Sequence, residues 1–238
     1  MAGRGNMDEA KPIGDEHLLV LRNGRWQPMY RPVNNDRVFS GVCLAESFAA
    51  AYAKDKNVMT GIIPCADGGT SLDQWQEGSL LYDNAVYQAR LAQRTSTIAG
   101  VLWHQGEADC AKERYPLYEA KLSKMIQALR RDLDLVDVPF ILGALGDYFA
   151  ESPAGENLKN YFYVNEALEH YAMNTPMTGF VPANGLKSKP DMLHFDTASL
   201  IEFGLRYYEV FKLKENKNKI FTEKKDMDFA RRREMEKL

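Results

Sequence analysis

The feature that most constrains this fold is a repeated alternation of short apolar runs with amphipathic segments of helical period. Val58 to Ile63, Ile98 to Trp103, Pro139 to Leu145 and Gly179 to Pro182 read as strands. Between and after them, Ser40 to Ala53, Leu80 to Arg94, Tyr115 to Leu133, Asn160 to Met173 and Thr197 to Phe211 read as helices. The third helix shows the period best, with Leu117, Leu122, Met125, Ile126 and Leu129 on one side. Strands alternating with helices of ten or more residues indicate βαβ units, a mainly parallel sheet and helices on both faces. Ahead of this pattern, Leu18 to Leu21 and Arg25 to Met29 flank Asn23-Gly24, a strong hairpin signal. After Phe211 the composition shifts to Lys, Arg and Glu. Residues 1–211 are therefore expected to form one domain, and residues 212–238 a charged, peripheral helical tail. Ile220, Phe221, Met227 and Phe229 could dock that tail, and the Arg231-Arg232-Arg233 run reads as a solvated helix face.

Composition removes several classes of function. A formal net charge of −3 provides no domain-wide basic excess to neutralise phosphates, so a nucleic-acid partner is not expected. No apolar stretch approaches the ~18 residues of a membrane span, and residues 1–17 hold no apolar signal core. A cytoplasmic location is the corresponding expectation. The three cysteines, Cys43, Cys65 and Cys110, are odd in number and widely spaced. They read as small buried thiols in a reducing compartment, neither a disulfide framework nor a zinc site.

Chemistry in an open parallel sheet gathers at the carboxyl ends of the strands. Three loops occupy such places. One carries Asp191-Met192-Leu193-His194. An imidazole can take a proton from a hydroxyl near neutral pH and return it to a leaving group. A carboxylate three residues earlier can face the same way across a turn and hold the second ring nitrogen. The next loop is Trp103-His104-Gln105-Gly106-Glu107-Ala108-Asp109. The Gln105 amide is a candidate oxyanion donor. Glu107 is an alternative partner for His194, and Asp109 reads as structural because a helix begins soon afterwards. The last loop is Gly68-Gly69-Thr70-Ser71, followed by Asp73 and Trp75, which could meet sugar hydroxyls and stack on a ring face. It lacks the lysine of a phosphate-binding loop, and Ser71 lacks the flanks of a nucleophile elbow. A surface turn, a strand-end loop and a tight turn with Trp75 in the core are the plain structural readings of the three.

Together these blocks resemble the sialate O-acetylesterase / acetylxylan esterase group of SGNH hydrolases. The matching residues are Ile63 to Ser71 with Trp75, Trp103 to Asp109, and Asp191 to His194, and the resemblance spans Met1 to about Phe211. It implies a flavodoxin-like three-layer α/β/α sandwich and serine-type removal of acetyl groups from sugar hydroxyls, without metal or cofactor. It also implies His194 as general base, Asp191 as its partner and Gln105 as an oxyanion donor. Gly41 corresponds to a second, backbone donor, although Cys43-Leu44-Ala45-Glu46 departs from the glycine-rich form of that segment. His104, Gly68, Gly69, Thr70, Ser71 and Trp75 fall at substrate-binding positions.

The group's nucleophile lies in Gly-Gln-Ser-Asn-Met-Ala-Gly at the end of the first strand. Met1-Ala2-Gly3-Arg4-Gly5 matches the residues just after that serine, so the sequence is expected to open immediately downstream of it, with the sheet's first strand outside it. A rival register sets Gly3-Arg4-Gly5-Asn6-Met7 on the motif with Gly5 replacing the serine, but it requires a substitution that the first does not. Three functions are open to test: an O-acetylesterase acting on an O-acetylated saccharide, a catalytically silent saccharide-binding protein of the same fold, and a metal hydrolase using Asp191, His194, His104 and Glu107.

Overall fold

The computed structural model describes the backbone from Gly3 to Met235 and the side chains from Gly3 to Asn216. Expectations on Met1, Ala2, the side chains of Ile220, Phe221, Met227 and Phe229, and the Arg231-Arg232-Arg233 run lie outside the described residues.

The hairpin forms where Asn23-Gly24 predicts it. Strand β1 (Leu18–Arg22) pairs antiparallel with β2 (Arg25–Pro28), Arg22 opposite Arg25. The two turn residues have φ of 53° and 73°, the positive pair that a tight two-residue turn demands. Helix α1 (Leu44–Lys56) begins later than its Ala-rich pattern suggests. Residues 41 and 42 are held extended: the Gly41 N–H donates to Gly3 O at 3.0 Å, and Gly5 and Val42 exchange backbone bonds of 3.1 and 3.0 Å.

The remaining elements come in the order β3 (Thr60–Ile62), α2 (Leu80–Gln93), β4 (Val101–Trp103), α3 (Tyr118–Leu133), β5 (Phe140–Gly143), α4 (Tyr161–Asn174), β6 (Thr178–Val181) and α5 (Thr197–Met235). The expected boundary at residue 211 does not interrupt α5, which runs on to Met235. Two three-stranded sheets result, β2-β1-β3 and β4-β5-β6. All pairings except the hairpin are parallel.

Strand β5 shows how one sequence pattern builds three layers. All four of its residues are buried. Phe140 and Leu142 enter one core with Leu122, Ile126 and Leu168, while Ile141 enters the other with Phe203, Tyr207 and Phe211. Alternate residues of a strand point to opposite faces, so a fully apolar run needs helices on both sides. Helices α2, α3 and α4 cover the first face, and α1 and α5 the second. This is the α/β/α sandwich implied by the resemblance. Because α1 packs on β1 and β3 while α5 packs on β5 and β6, the α1–α5 pair spans both sheets. Between the facing edges of β3 and β4 lies a cavity of about 1030 Å³.

Candidate active site

The carboxyl ends of β3 and β4 open onto one end of this cavity. His194 sits on its wall with His104, Gln105, Glu107, Gly68, Gly69, Thr70 and Trp75. The structure thus gathers the three predicted loops in one place. Gly41 and Ser71 are not on this wall, and Asp191 stands behind His194.

A short looped segment holds the His194–Asp191 pair. Residues 188 and 195 form an isolated antiparallel bridge, Lys189 N–H donates to His194 O at 2.7 Å, and Met192 takes a φ of 47° to close the turn. Inside it, His194 Nδ1 meets Asp191 Oδ2 at 2.9 Å. Asp191 Oδ1 accepts the backbone N–H groups of Leu193 and His194 at 2.9 and 3.0 Å. Partial burial works against the ionised Asp191, but the bonds from the His194 ring and those two N–H groups outweigh it and hold its pKa below the ordinary carboxylate value. A carboxylate on Nδ1 fixes the tautomer that leaves the Nε2 lone pair facing outward. Glu107 does not take this place; its Oε2 accepts the Gly106 N–H at 3.1 Å.

His104 has a different character. Its ring lies edge-on to Phe195 and Phe203, with centroids 5.6 Å away in each case, and Nε2–H donates to Ala144 O at 3.2 Å. Burial lowers its pKa, with the Glu107 charge opposing. It is a neutral, anchored imidazole.

Gln105 is buried beneath the site. Its Nε2 donates to Thr70 O at 2.9 Å and to Asp109 Oδ2 at 2.6 Å. Tyr118 Oη donates to its backbone oxygen at 2.8 Å, with Gln105 Oε1 a further 3.2 Å contact. Both amide hydrogens are therefore engaged, and a substrate oxyanion reaches this donor only by displacing the Thr70 carbonyl. The Gly41 N–H is likewise given to Gly3 O. A side chain cannot be accommodated at Gly41, where a Cβ would lie 1.9 Å from Gly5 O.

In the Gly68 to Trp75 loop, Gly68, Gly69, Thr70 and Trp75 line the cavity while much of the loop's polar and aromatic surface is engaged within the protein. Trp75 is buried, edge-on to Trp103 at 5.4 Å, and its Nε1–H donates to Thr70 Oγ1 at 3.0 Å. Thr70 Oγ1 donates to Asp67 O at 2.7 Å. Ser71 is buried at the start of a short 3-10 turn, where its N–H donates to Gln74 Oε1 at 3.0 Å. Trp75 is thus packed mainly in the core, because the short turn folds it inward onto Trp103, and it reaches the cavity wall from there. Asp109 is structural, as its position suggests: Oδ2 also accepts the Leu72 N–H at 2.9 Å. Burial raises its pKa against the pull of these bonds.

Sequence reasoning missed the network that anchors the first described residues. Arg4 makes a two-pronged ion pair with Asp36, Nη1 to Oδ1 at 3.0 Å and Nη2 to Oδ2 at 2.6 Å, and both side chains are only 5% exposed. Asn34 and Ser40 donate to Oδ1, and the Gly68 N–H donates to Oδ2. The polar run Asn34-Asn35-Asp36 was the available signal, but its partner lies 32 positions away. The same segment touches the base loop: Lys189 Nζ donates to Arg4 O at 3.2 Å, and Thr197 Oγ1 to Asn6 O at 3.2 Å.

The thiols are not nucleophiles here. Burial pushes Cys43 and Cys110 up to about 12 and Cys65 up to about 11, so all three stay protonated at neutral pH. Among the described residues no group of three or more His, Cys, Asp or Glu side chains gathers as a metal site, and no helix is long and apolar enough to cross a membrane.

Comparisons with known proteins agree with this architecture. A probable carbohydrate esterase of Arabidopsis thaliana is 28% identical over 208 residues, covering 82% of this chain and 74% of that protein. The X-ray structure of an Arabidopsis thaliana protein superimposes with a TM-score of 0.78 at 28% identity, covering 89% of this chain and 92% of the other. The crystal structure of NanS shares the fold with a TM-score of 0.66 at 18% identity, covering 89% and 93%. A carbohydrate acetylesterase from Xanthomonas citri shares it at 0.62 and 17% identity, covering 84% of this chain and 50% of the other. The family described as carbohydrate esterase, sialic acid-specific acetylesterase matches residues 1–212, and the chain belongs to that family of carbohydrate acetylesterases.

Proposed function

We propose that this chain carries the base and oxyanion side of a serine-type O-acetylesterase that removes acetyl groups from sugar hydroxyls, of the sialate or xylan type. His194 Nε2 takes the proton of a serine hydroxyl as its oxygen attacks the acetyl carbonyl. Asp191 holds Nδ1–H and stabilises the imidazolium that forms. The tetrahedral oxyanion is met by Gln105 Nε2 after it leaves Thr70 O; the Gly41 amide joins it only if its bond to Gly3 O is released and the segment turns to the cavity. His194 then returns its proton to the departing sugar oxygen, leaving an acetyl-serine. Water, deprotonated by His194, releases acetate and restores the hydroxyl.

The single observation that carries this reading is the His194–Asp191 pair at 2.9 Å, with its carboxylate locked by two backbone N–H groups, at the cavity mouth. The test uses the protein with all residues its gene encodes in frame. It should hydrolyse 4-nitrophenyl acetate, and His194→Ala should lower kcat by roughly 10⁴-fold or more. Undiminished hydrolysis by His194→Ala would remove the reading.

A further inference from the structure

We propose that Phe39 is the platform on which a pyranose ring of the substrate stacks, presented at the cavity mouth by a rigid turn of residues 37–40. The proposal deepens the esterase reading and rests on it for the choice of a sugar.

The composition of this turn sets it apart. Ser40 N–H donates to Arg37 O at 3.0 Å, which makes Val38 and Phe39 the two central residues of a β-turn. Turns favour Gly, Pro, Asn, Asp and Ser, which fit their backbone or hydrogen-bond within them. Here Val38 is fully exposed and Phe39 is 63% exposed. Two large apolar side chains thus stand in water at a turn tip and gain little burial there. A break with local turn chemistry that brings no packing gain is expected at a functional position.

The position of the ring agrees. Arg37 and Phe39 line the same cavity as His194, Gly68 and Gly69. Of the aromatic residues on that wall, Phe39 is the most exposed. Trp75, by contrast, is 7% exposed. Arg4 links the ring to the base loop: its guanidinium lies over Phe39, 5.0 Å from the centroid, and its carbonyl accepts Lys189 Nζ at 3.2 Å. One face of the ring is therefore held by a cation, and the exposed remainder is left for a ligand.

The turn is also fixed before any ligand arrives. Arg37 N–H donates to Ser40 Oγ at 3.1 Å, and Ser40 Oγ donates to Asp36 Oδ1 at 3.0 Å. The Arg37 guanidinium donates to Asp36 O at 2.8 Å and to Gly68 O at 2.9 Å, and it pairs with Asp67 Oδ1 at 2.5 Å. Binding to a ring held this way loses little conformational entropy. A pyranose has apolar C–H groups on its faces and hydroxyls around its edge. A flat apolar ring, with the half-buried Arg37–Asp67 pair supplying donors and an acceptor on the same wall, matches both.

The test uses the protein with all residues its gene encodes in frame. Two acetylated sugars, methyl tri-O-acetyl-β-D-xylopyranoside and 9-O-acetyl-N-acetylneuraminic acid, are compared with vinyl acetate, an ester without a ring. The readout is kcat/KM on the sugar that the wild type turns over faster, divided by kcat/KM on vinyl acetate. In Phe39→Ala and in Phe39→Leu, which keeps apolar bulk without a flat face, this ratio should fall by about fivefold or more, through KM for the sugar. Phe39→Trp restores a flat ring and should stay within about twofold of wild type. A ratio unchanged in Phe39→Ala, or lowered equally in all three variants, overturns the platform. Acetate release from neither sugar removes the esterase reading instead. Binding of xylotetraose and N-acetylneuraminic acid to the purified 238-residue chain, followed by NMR titration, then decides the platform. A Kd raised about fivefold or more by Phe39→Ala supports it, and an unchanged Kd or no binding of either sugar overturns it.

Discussion

Replacing Asp36 by Ala tests the anchoring of the Arg4 segment beside the site. The carboxylate accepts five bonds, two from Arg4 and one each from Asn34, Ser40 and the Gly68 N–H. Removing it strands a guanidinium that is 5% exposed. Breaking one side of a buried ion pair costs about 3–5 kcal/mol, so Asp36→Ala should lose that much in urea unfolding, by a lower midpoint at unchanged slope. Arg4→Ala/Asp36→Ala should cost less than Asp36→Ala alone, because no unpaired charge remains. Acid adds a second signature. Burial opposes ionisation of Asp36, but the bonds from Arg4, Gly68 and Ser40 prevail and hold its pKa well below the ordinary 3.8. A carboxylate with a depressed folded pKa contributes stability above its unfolded value and loses it as pH falls toward the folded one. The wild type should therefore lose this contribution below about pH 4, and Asp36→Ala should lack that part of the acid limb. A loss under 1 kcal/mol, with the acid limb unchanged, would refute the reasoning.

Three other substitutions separate roles within the site. Asp191→Asn puts an amide against His194 Nδ1 and should lower kcat by about 10²–10⁴-fold with KM little changed; the lower end is favoured because Asp191 is 40% exposed, and a change under threefold would dismiss it as the orienting acid. Asp109→Ala leaves the Leu72 and Gln105 donors unpaired and should destabilise by about 1–3 kcal/mol in thermal melts. Because burial raises the Asp109 pKa, this loss should be largest below pH 3.8 and shrink as pH rises through the raised value; the opposite trend would contradict the assignment. Trp75→Ala should cost about 3–5 kcal/mol as a core cavity, and KM for the saccharide, measured where the variant stays folded, should not move. A KM rise without destabilisation would return Trp75 to the substrate.

The layers of the fold were legible because period two and period 3.6 are local signals. Phe140-Ile141-Leu142 needs no partner to declare itself a strand covered on both faces. The Asp191–His194 pair was legible for the same reason: three positions and one turn bring them together. Roles that depend on distant partners were not. Gln105 and Gly41 carry the right groups for oxyanion donors, yet their N–H groups are given to Thr70, Asp109 and Gly3, which no spacing reveals. Trp75 could be read as a sugar platform or as core, and its packing onto Trp103, 28 positions away, is a contact that no local spacing reveals. The Arg4–Asp36 network joins residues that sequence reading had no reason to connect.

The most direct test of the central claim is acetate release from O-acetylated sialic acid and from acetylated xylan by the protein with all residues its gene encodes in frame, compared with His194→Ala. The account predicts acetate release from at least one of them by the wild type. It also predicts a fall in kcat/KM of roughly 10⁴-fold or more in the variant, with saccharide binding retained. Saccharide binding without acetate release, or activity in His194→Ala within tenfold of wild type, would contradict it.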